Sequence, residues 1–473
     1  MRLFFLVGVL SLLFLNALKT LALDLGSEEE WLGIYSGDEK IGYSHTVIKP
    51  LEDGVEFIEE SRIRMTILGT DQDVKLQSTY LLNGYNLQAF HFTMKAGSVE
   101  LKAKGKREGK ELKIETTSVS GKTYISFPLD KEPLVSPILN KWLIDQKPSV
   151  GNEYEVTLFD PSSILMGVDA ADLRATLSIE GQERIRIPLG TFETYRVKTV
   201  FTGAEERSWI TGKGDVIKEV SPPGLIAVRE SKDRVLGESL ASFDIVEKTA
   251  ISSDVVLENA RSLKLLRVKV DGIESAEGLN LGDNNRQFYK DGLIEVRVGD
   301  ISRVSTYSIP YKGEDFKSYL EPSGLIQSDD QKIIHRAKRI VEEERDSIGV
   351  VRKISDWVYN NVEKAATLSI PNALDVLETR KGDCNEHSAL FAALARAAGI
   401  PTKIVLGVVF LDGKFYYHAW NEVFVGSWIA VDPTLGQVPA DASHIKFIEG
   451  DLSKTFEIIK VVGNIRLEIK DAS

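Results

Sequence analysis

The chain holds one cysteine, Cys384, and six histidines. A thiol beside an imidazole makes a nucleophile with its own proton acceptor, and a carboxylate on the far ring nitrogen fixes the tautomer. A lone cysteine closes no internal disulfide, so it is either a small buried hydrophobe or a reactive thiol. Its surroundings decide. In Gly382-Asp383-Cys384-Asn385-Glu386, Asp383 suits a helix N-cap and Glu386, three residues on, completes a capping box. The apolar residues Leu390, Phe391, Ala392, Leu394, Ala395 and Ala398 follow, and Gly399 and Pro401 close the helix. Cys384 is thus expected in the first turn. There the positive end of the helix dipole favours a thiolate, and unpaired N–H groups are available to a developing oxyanion. Arg380 and Lys381 add positive potential.

Beyond Pro401 the sequence predicts a hairpin. Strand residues Thr402 to Phe410 lead to Asp412-Gly413, a two-residue turn signal, and to a return strand, Lys414 to Val423. Alternation puts Tyr416, His418 and Trp420 on one face. A further strand, Trp428-Ile429-Ala430-Val431, ends at Asp432-Pro433-Thr434. Neighbouring strands can bring His418 and Asp432 together. In that arrangement His418 takes the Cys384 proton and returns it to the leaving group, while Asp432 holds the far ring nitrogen. His387, one helical turn beyond Cys384, is the runner-up base. His444 reads as a surface residue, and His45, His91 and His335 are scattered. No histidine pair has metal-ligand spacing and no calcium-loop motif is evident, so neither metal nor cofactor is expected. Trp357 and Asn360 are candidates for a second oxyanion donor, Trp357 being better explained as core. Trp420 and Trp428 either wall an acyl channel or pack the sheet, and packing is favoured for Trp428.

These residues need a scaffold. The 473 residues suggest two to four domains. Residues 1–22 read as an export signal: Arg2, an apolar run from Leu3 to Leu18, then Thr20-Leu21-Ala22. An uncleaved N-terminal anchor is the alternative. The expected location is periplasmic or secreted, with no spanning helix after the leader. Residues 23–250 read as antiparallel sheet with one wet face. Ile63 to Ile67, Val74 to Ser78 and Leu112 to Thr116 alternate, and Asp53-Gly54, Leu189-Gly190 and Pro222-Pro223-Gly224 punctuate them. A helix fits Val135 to Leu143. Residues 251–324 look like a small strand-rich linker domain. In 325–473 helices are expected from Asp330 to Ile340, Val350 to Val362 and Ala373 to Glu378, before the cysteine helix and the strands: an α+β domain. With 58 basic against 70 acidic residues and a net charge of -12, the balance gives no support for nucleic-acid binding.

The Gly382-Asp383-Cys384 start, the helix to Gly399-Ile400-Pro401, Tyr417-His418-Ala419-Trp420-Asn421-Glu422-Val423 and the strand into Asp432-Pro433-Thr434 together resemble the bacterial transglutaminase-like superfamily, over roughly residues 325 to 450. The resemblance implies a papain-like core with Cys384 as nucleophile, His418 as base and Asp432 as orienting residue. It implies an acyl-enzyme step on protein or peptide amides. Whether water or a second amine ends the reaction stays open, with hydrolysis slightly favoured because water needs no second site. The alternative is a catalytically silent binding or assembly module of the cell envelope. Gly33-Ile34-Tyr35 and Lys40-Ile41-Gly42-Tyr43 resemble the opening of exported β-rich domains that precede such modules. That region is a candidate for docking a cell-envelope partner.

Overall fold

A computed structural model of the chain describes residues 28–67, 69–97, 99–119, 121–129, 131–165, 173–201, 204–273, 279–282, 285–365, 372–450 and 465–473. The expected leader lies outside them. Among the described residues no helix is long and apolar enough to cross a membrane. The chain divides into two compact units, one ending at Ile245 and one spanning Val246–Ser473.

The first unit is a large, almost wholly antiparallel sheet. Its strands are β1 (Glu28–Ser36), β2 (Glu39–Leu51), β3 (Gly54–Ile67), β4 (Thr70–Asn83), β5 (Asn86–Ala96), β6 (Val99–Glu108), β7 (Glu111–Ser118) and β8 (Gly121–Pro128). Then come β9 (Leu134–Val135), β10 (Glu153–Phe159), β11 (Arg174–Ile187), β12 (Gly190–Phe201), β13 (Ala204–Ile210), β14 (Val216–Ser221), β15 (Leu225–Arg229) and the short β16 (Phe243–Asp244). Two meanders run outward from a central β1–β15 pair, β1 through β8 on one side and β15 back through β9 on the other, and β16 pairs with β3. The period-two pattern explains the pairing: on β4, Val74, Leu76, Tyr80 and Leu82 are buried, and the residues between them are mostly exposed. Helix α1 (Ser136–Asp145) lies close to the expected helix and buries Ile138, Leu139 and Leu143.

The second unit is α+β, as expected. After β17 (Ile251–Ser252), β18 (Leu265–Asp271), β19 (Gln287–Lys290) and β20 (Leu293–Arg297) come helices α2 (Gln331–Val341) and α3 (Ser347–Asn361). Asp330 and Asp346 cap these helices with their side chains. The chain continues through β21 (Glu363–Lys364), α4 (Ala373–Thr379), β22 (Lys381–Gly382) and α5 (Cys384–Ala397). Strands β23 (Thr402–Leu411), β24 (Lys414–Phe424), β25 (Trp428–Val431), β26 (Ile445–Gly450) and β27 (Arg466–Ala472) complete it. Asp412 and Gly413 turn the β23–β24 hairpin with φ of 47° and 86°, the left-handed pair that a tight hairpin needs. The stretch 251–324 lies in the same unit as the C-terminal region. Its strand β18 pairs with β27, β17 pairs with β24, and the Gln287 amide bonds Lys446 through both its ends.

Helix α5 is the centre of this unit. Residues Ala389 through Ala395 have no exposed surface, because the helix packs on β23 and β24 and against α2, α3 and α4. The Asn421 side chain on β24 donates to the Ser388 carbonyl at 3.2 Å, tying strand to helix. Opposite His418 in the β23–β24 register stands Gly407. A Cβ there would lie 2.0 Å from the Ile445 carbonyl oxygen and 2.9 Å from the Trp420 ring. Gly407→Ala must therefore force β26 away from β23. Thermal unfolding is expected to show a loss of about 2 kcal/mol or more, at the upper end of overpacking costs.

Candidate active site

Cys384 opens α5. Asp383 adopts extended backbone, its side chain accepts from the Asn385 N–H at 2.8 Å, and the Glu386 carboxylate accepts the Asp383 N–H at 2.8 Å. The capping box expected from the sequence is therefore formed. Gly382 makes room for it, since a Cβ there would lie 2.1 Å from that of Glu386. The box also occupies the Asn385 N–H, which the sequence reading had left free for an oxyanion.

The His418 ring projects from β24. Its Nε2 donates to the Asp432 Oδ2 at 2.8 Å. Nδ1 is the nitrogen that Asp432 leaves over, and Cys384 lies near enough to act on the charge of the ring. Burial disfavours the imidazolium. The Asp432 charge and hydrogen bond, and then Cys384, outweigh it and raise the ring to about 10. Asp432 has no exposed surface. Burial opposes its ionisation, yet the charge and hydrogen bond of His418 and then of His444 hold the carboxyl well below the usual range. Its other oxygen accepts the backbone N–H groups of Thr434 and Leu435 at 2.8 and 3.0 Å. This Asx-type turn is the physical content of the Asp-Pro-Thr motif.

His444 corrects the sequence reading. It was expected at the surface and is fully buried. Its Nε2 reaches the same Asp432 Oδ2 at 3.0 Å, and its Nδ1 faces the Asp441 carbonyl at 3.2 Å and the Asp441 carboxylate at 3.3 Å. Arg261 pairs with Asp441 at 2.9 Å, and Arg286 grips the His444 carbonyl at 2.8 Å. A polar chain thus runs Arg261–Asp441–His444–Asp432–His418 toward Cys384. The ligand-type atoms of His418, Asp432 and His444 lie within 4.8 Å of one another. That is a spacing a metal ion could use, although protons on the two imidazoles already account for it. The approach joins residues far apart in sequence, so histidine spacing gave no sign of it.

The other candidates fall elsewhere. His387 points Nδ1 at the Asp383 carbonyl, 2.7 Å away, and burial pushes its ring down. Asn360 turns back to the Asp356 carbonyl of its own helix. Trp357 is half-buried between the Arg336 and Arg380 guanidinium groups, 5.2 and 4.4 Å from its ring, rather than in the core. Trp420 is fully buried with Val405, Ala430 and Ala440, and lies near the His418 and His444 rings. Trp428 packs edge-on against Phe316, Tyr319 and Phe424. Both tryptophans therefore pack the sheet.

The C-terminal region has relatives among known proteins. Residues 334–433 match the model of the transglutaminase-like superfamily. Kyphoscoliosis peptidase of Mus musculus is 30% identical over 124 residues, 23% of this chain and 19% of that protein, and the Homo sapiens protein matches to the same extent. The chain therefore spans about a fifth of the length of these curated relatives. Among solved structures, a protein from Cytophaga hutchinsonii described as a candidate cysteine protease aligns with a TM-score of 0.30 at 20% identity, over 45% of this chain and 85% of its own. A beta-barrel-like protein from Brucella abortus aligns with a TM-score of 0.34 at 12% identity, over 44% of this chain and 98% of its own. The C-terminal region of this chain carries a domain of the transglutaminase-like superfamily.

Proposed function

We propose that this domain is a thiol enzyme that opens amide bonds of proteins or peptides through a cysteinyl acyl-enzyme. The observation that supports the reading is the His418 ring, hydrogen-bonded to Asp432 and near enough to Cys384 for the thiol to act on its charge. The Cys384 sulfur attacks the amide carbon. The C–N bond breaks as His418 gives its proton to the leaving amine. Water then attacks the thioester, His418 takes its proton, and the acid leaves as the thiol reforms. Asp432 keeps Nε2 protonated and so leaves Nδ1 to exchange the proton. Hydrolysis is the favoured ending, since water needs no binding site of its own. Read as an export signal, residues 1–22 support an activity outside the cytoplasm.

One observation favours a second reading, a binding module without turnover. Cys384 is 7% exposed and His418 6%, so the thiol offers little surface to a bulky substrate. Alkylation separates the two. With limiting iodoacetamide, Cys384 is expected to react at pH 6 to 7 in the folded chain, and His418→Ala is expected to slow it about tenfold or more. Equal, slow labelling of both proteins that quickens only on unfolding would support the binding module.

The ring also links stability to pH. Its folded value lies above that of an unfolded histidine, so its contribution is complete below about 6.5. It is lost as pH rises toward 10. Urea unfolding of the wild type is expected to weaken across that window, by up to about 1.4 kcal/mol per pH unit, with a shallower slope in His418→Gln. His444→Ala leaves a buried carboxylate short of a partner. It is expected to cost about 3 kcal/mol in the same measurement, within the range for breaking a buried charge pair.

A further inference from the structure

The first unit has a polar patch in its buried face that sheet packing does not explain. Three strands carry the same pattern, Glu-x-Ser: Glu59-Glu60-Ser61 on β3, Glu206-Arg207-Ser208 on β13 and Glu219-Val220-Ser221 on β14. In each the glutamate and the serine are buried, with at most 2% exposure, and the residue between them points the other way. Ser208 and Glu219 are direct cross-strand partners. Continuing that register sets Glu206 opposite Ser221, so four oxygen-bearing side chains form a square on one face of β13 and β14. Thr199 of β12 stands beside Glu206, and Ser44 and Thr46 of β2 stand beside Ser61 and Glu59; all three are buried.

Both carboxylate oxygens of Glu206, both of Glu219, and the hydroxyls of Ser61, Ser208 and Ser221 have no hydrogen-bond partner among the described residues. Among the described residues no basic side chain forms an ion pair with Glu206 or Glu219. The buried lysines among the described residues of this unit are engaged elsewhere, Lys40 with Glu230 and Lys141 with Asp145. Glu206, Glu59 and Glu30 all lie near enough to Glu219 to act on its charge. These carboxylates therefore share one interior. Aliphatic side chains at such positions would be cheaper, because an unpaired buried carboxylate carries a desolvation penalty with nothing to return it. Buried charges that persist are paired or hold a metal.

We propose that the Glu206–Ser208–Glu219–Ser221 square, with Glu59 near by, binds a divalent cation through oxygen. The donor set is carboxylate and hydroxyl only, without nitrogen or sulfur, which selects a hard ion. The face is closed to solvent. Ca2+ fits it better than Mg2+, which keeps several of its waters and demands a stricter octahedron. This site is independent of the thiol chemistry, and its test does not read activity.

The full chain is stripped with EDTA, exchanged into buffer with Ca2+ alone or Mg2+ alone, gel-filtered and analysed for metal by mass spectrometry. Thermal unfolding is followed in parallel. About one Ca2+ per chain is expected, with a melting temperature raised by about 5 °C or more over the stripped protein. Glu206→Gln/Glu219→Gln is expected to lose both uptake and the shift. Ser208→Ala/Ser221→Ala, a milder change, is expected to weaken uptake, so a fold failure in the glutamine variant leaves the test intact. Two results would overturn the proposal. One is a wild-type chain that retains no Ca2+ and melts alike in Ca2+ and EDTA. The other is a folded glutamine variant with wild-type uptake, which would put the ion elsewhere.

Discussion

A carboxylate with no access to water must find all its partners inside the protein, and Asp432 is where the C-terminal unit meets that demand. Four donors converge on it: the rings of His418 and His444 and the backbone N–H groups of Thr434 and Leu435. Each fixes something. The backbone pair fixes the turn after β25, and the rings fix β24 against the segment leading into β26. Because a buried, unpaired charge costs several kcal/mol, these donors hold one another in place. The orientation of His418 toward Cys384 follows from that constraint.

Cys384 is placed by a separate and more local device. Asp383 and Glu386 close the first turn of α5, and a helix buried along its length cannot slide without opening the core around it. The Asn421–Ser388 hydrogen bond then sets the helix against the histidine strand. Helix start and histidine strand are thus each held in place for a separate reason. The segment 251–324 belongs to this framework. Through Arg261, Arg286 and Gln287 it holds Asp441, the carbonyl of His444 and the backbone of Lys446. It therefore supports the carboxylate from behind.

What could be read from the sequence was local. The capping box spans four residues, the Asp412-Gly413 turn two, and the cysteine, histidine and aspartate motifs each sit within one element. The extent of the large sheet was legible from alternation and turn residues. What could not be read depends on distant partners. Ser443-His444-Ile445-Lys446 looks like a wet-face strand, yet His444 is buried because its carbonyl meets Arg286, 158 residues earlier, and Lys446 because Glu422 neutralises it at 3.1 Å. Trp357 sits on an apolar helical face, yet it is only half-buried, with Arg336 of α2 and Arg380 just after α4 against its ring. The buried Glu-x-Ser faces were equally hidden. In a sheet taken to have one wet face, a glutamate reads as belonging to that face, and only the fold shows which side is closed.

The central claim is that Cys384 is a nucleophile armed by His418 and Asp432, and a small activated ester tests it without knowledge of the natural substrate. The folded chain would be mixed with p-nitrophenyl acetate at neutral pH and followed by intact and peptide mass spectrometry. The account predicts one acetyl group on Cys384 within the first turnover, formed faster than on the urea-unfolded chain and suppressed in Asp432→Asn. Acetylation of Cys384 no faster than in the unfolded chain, and indifferent to Asp432, would contradict it.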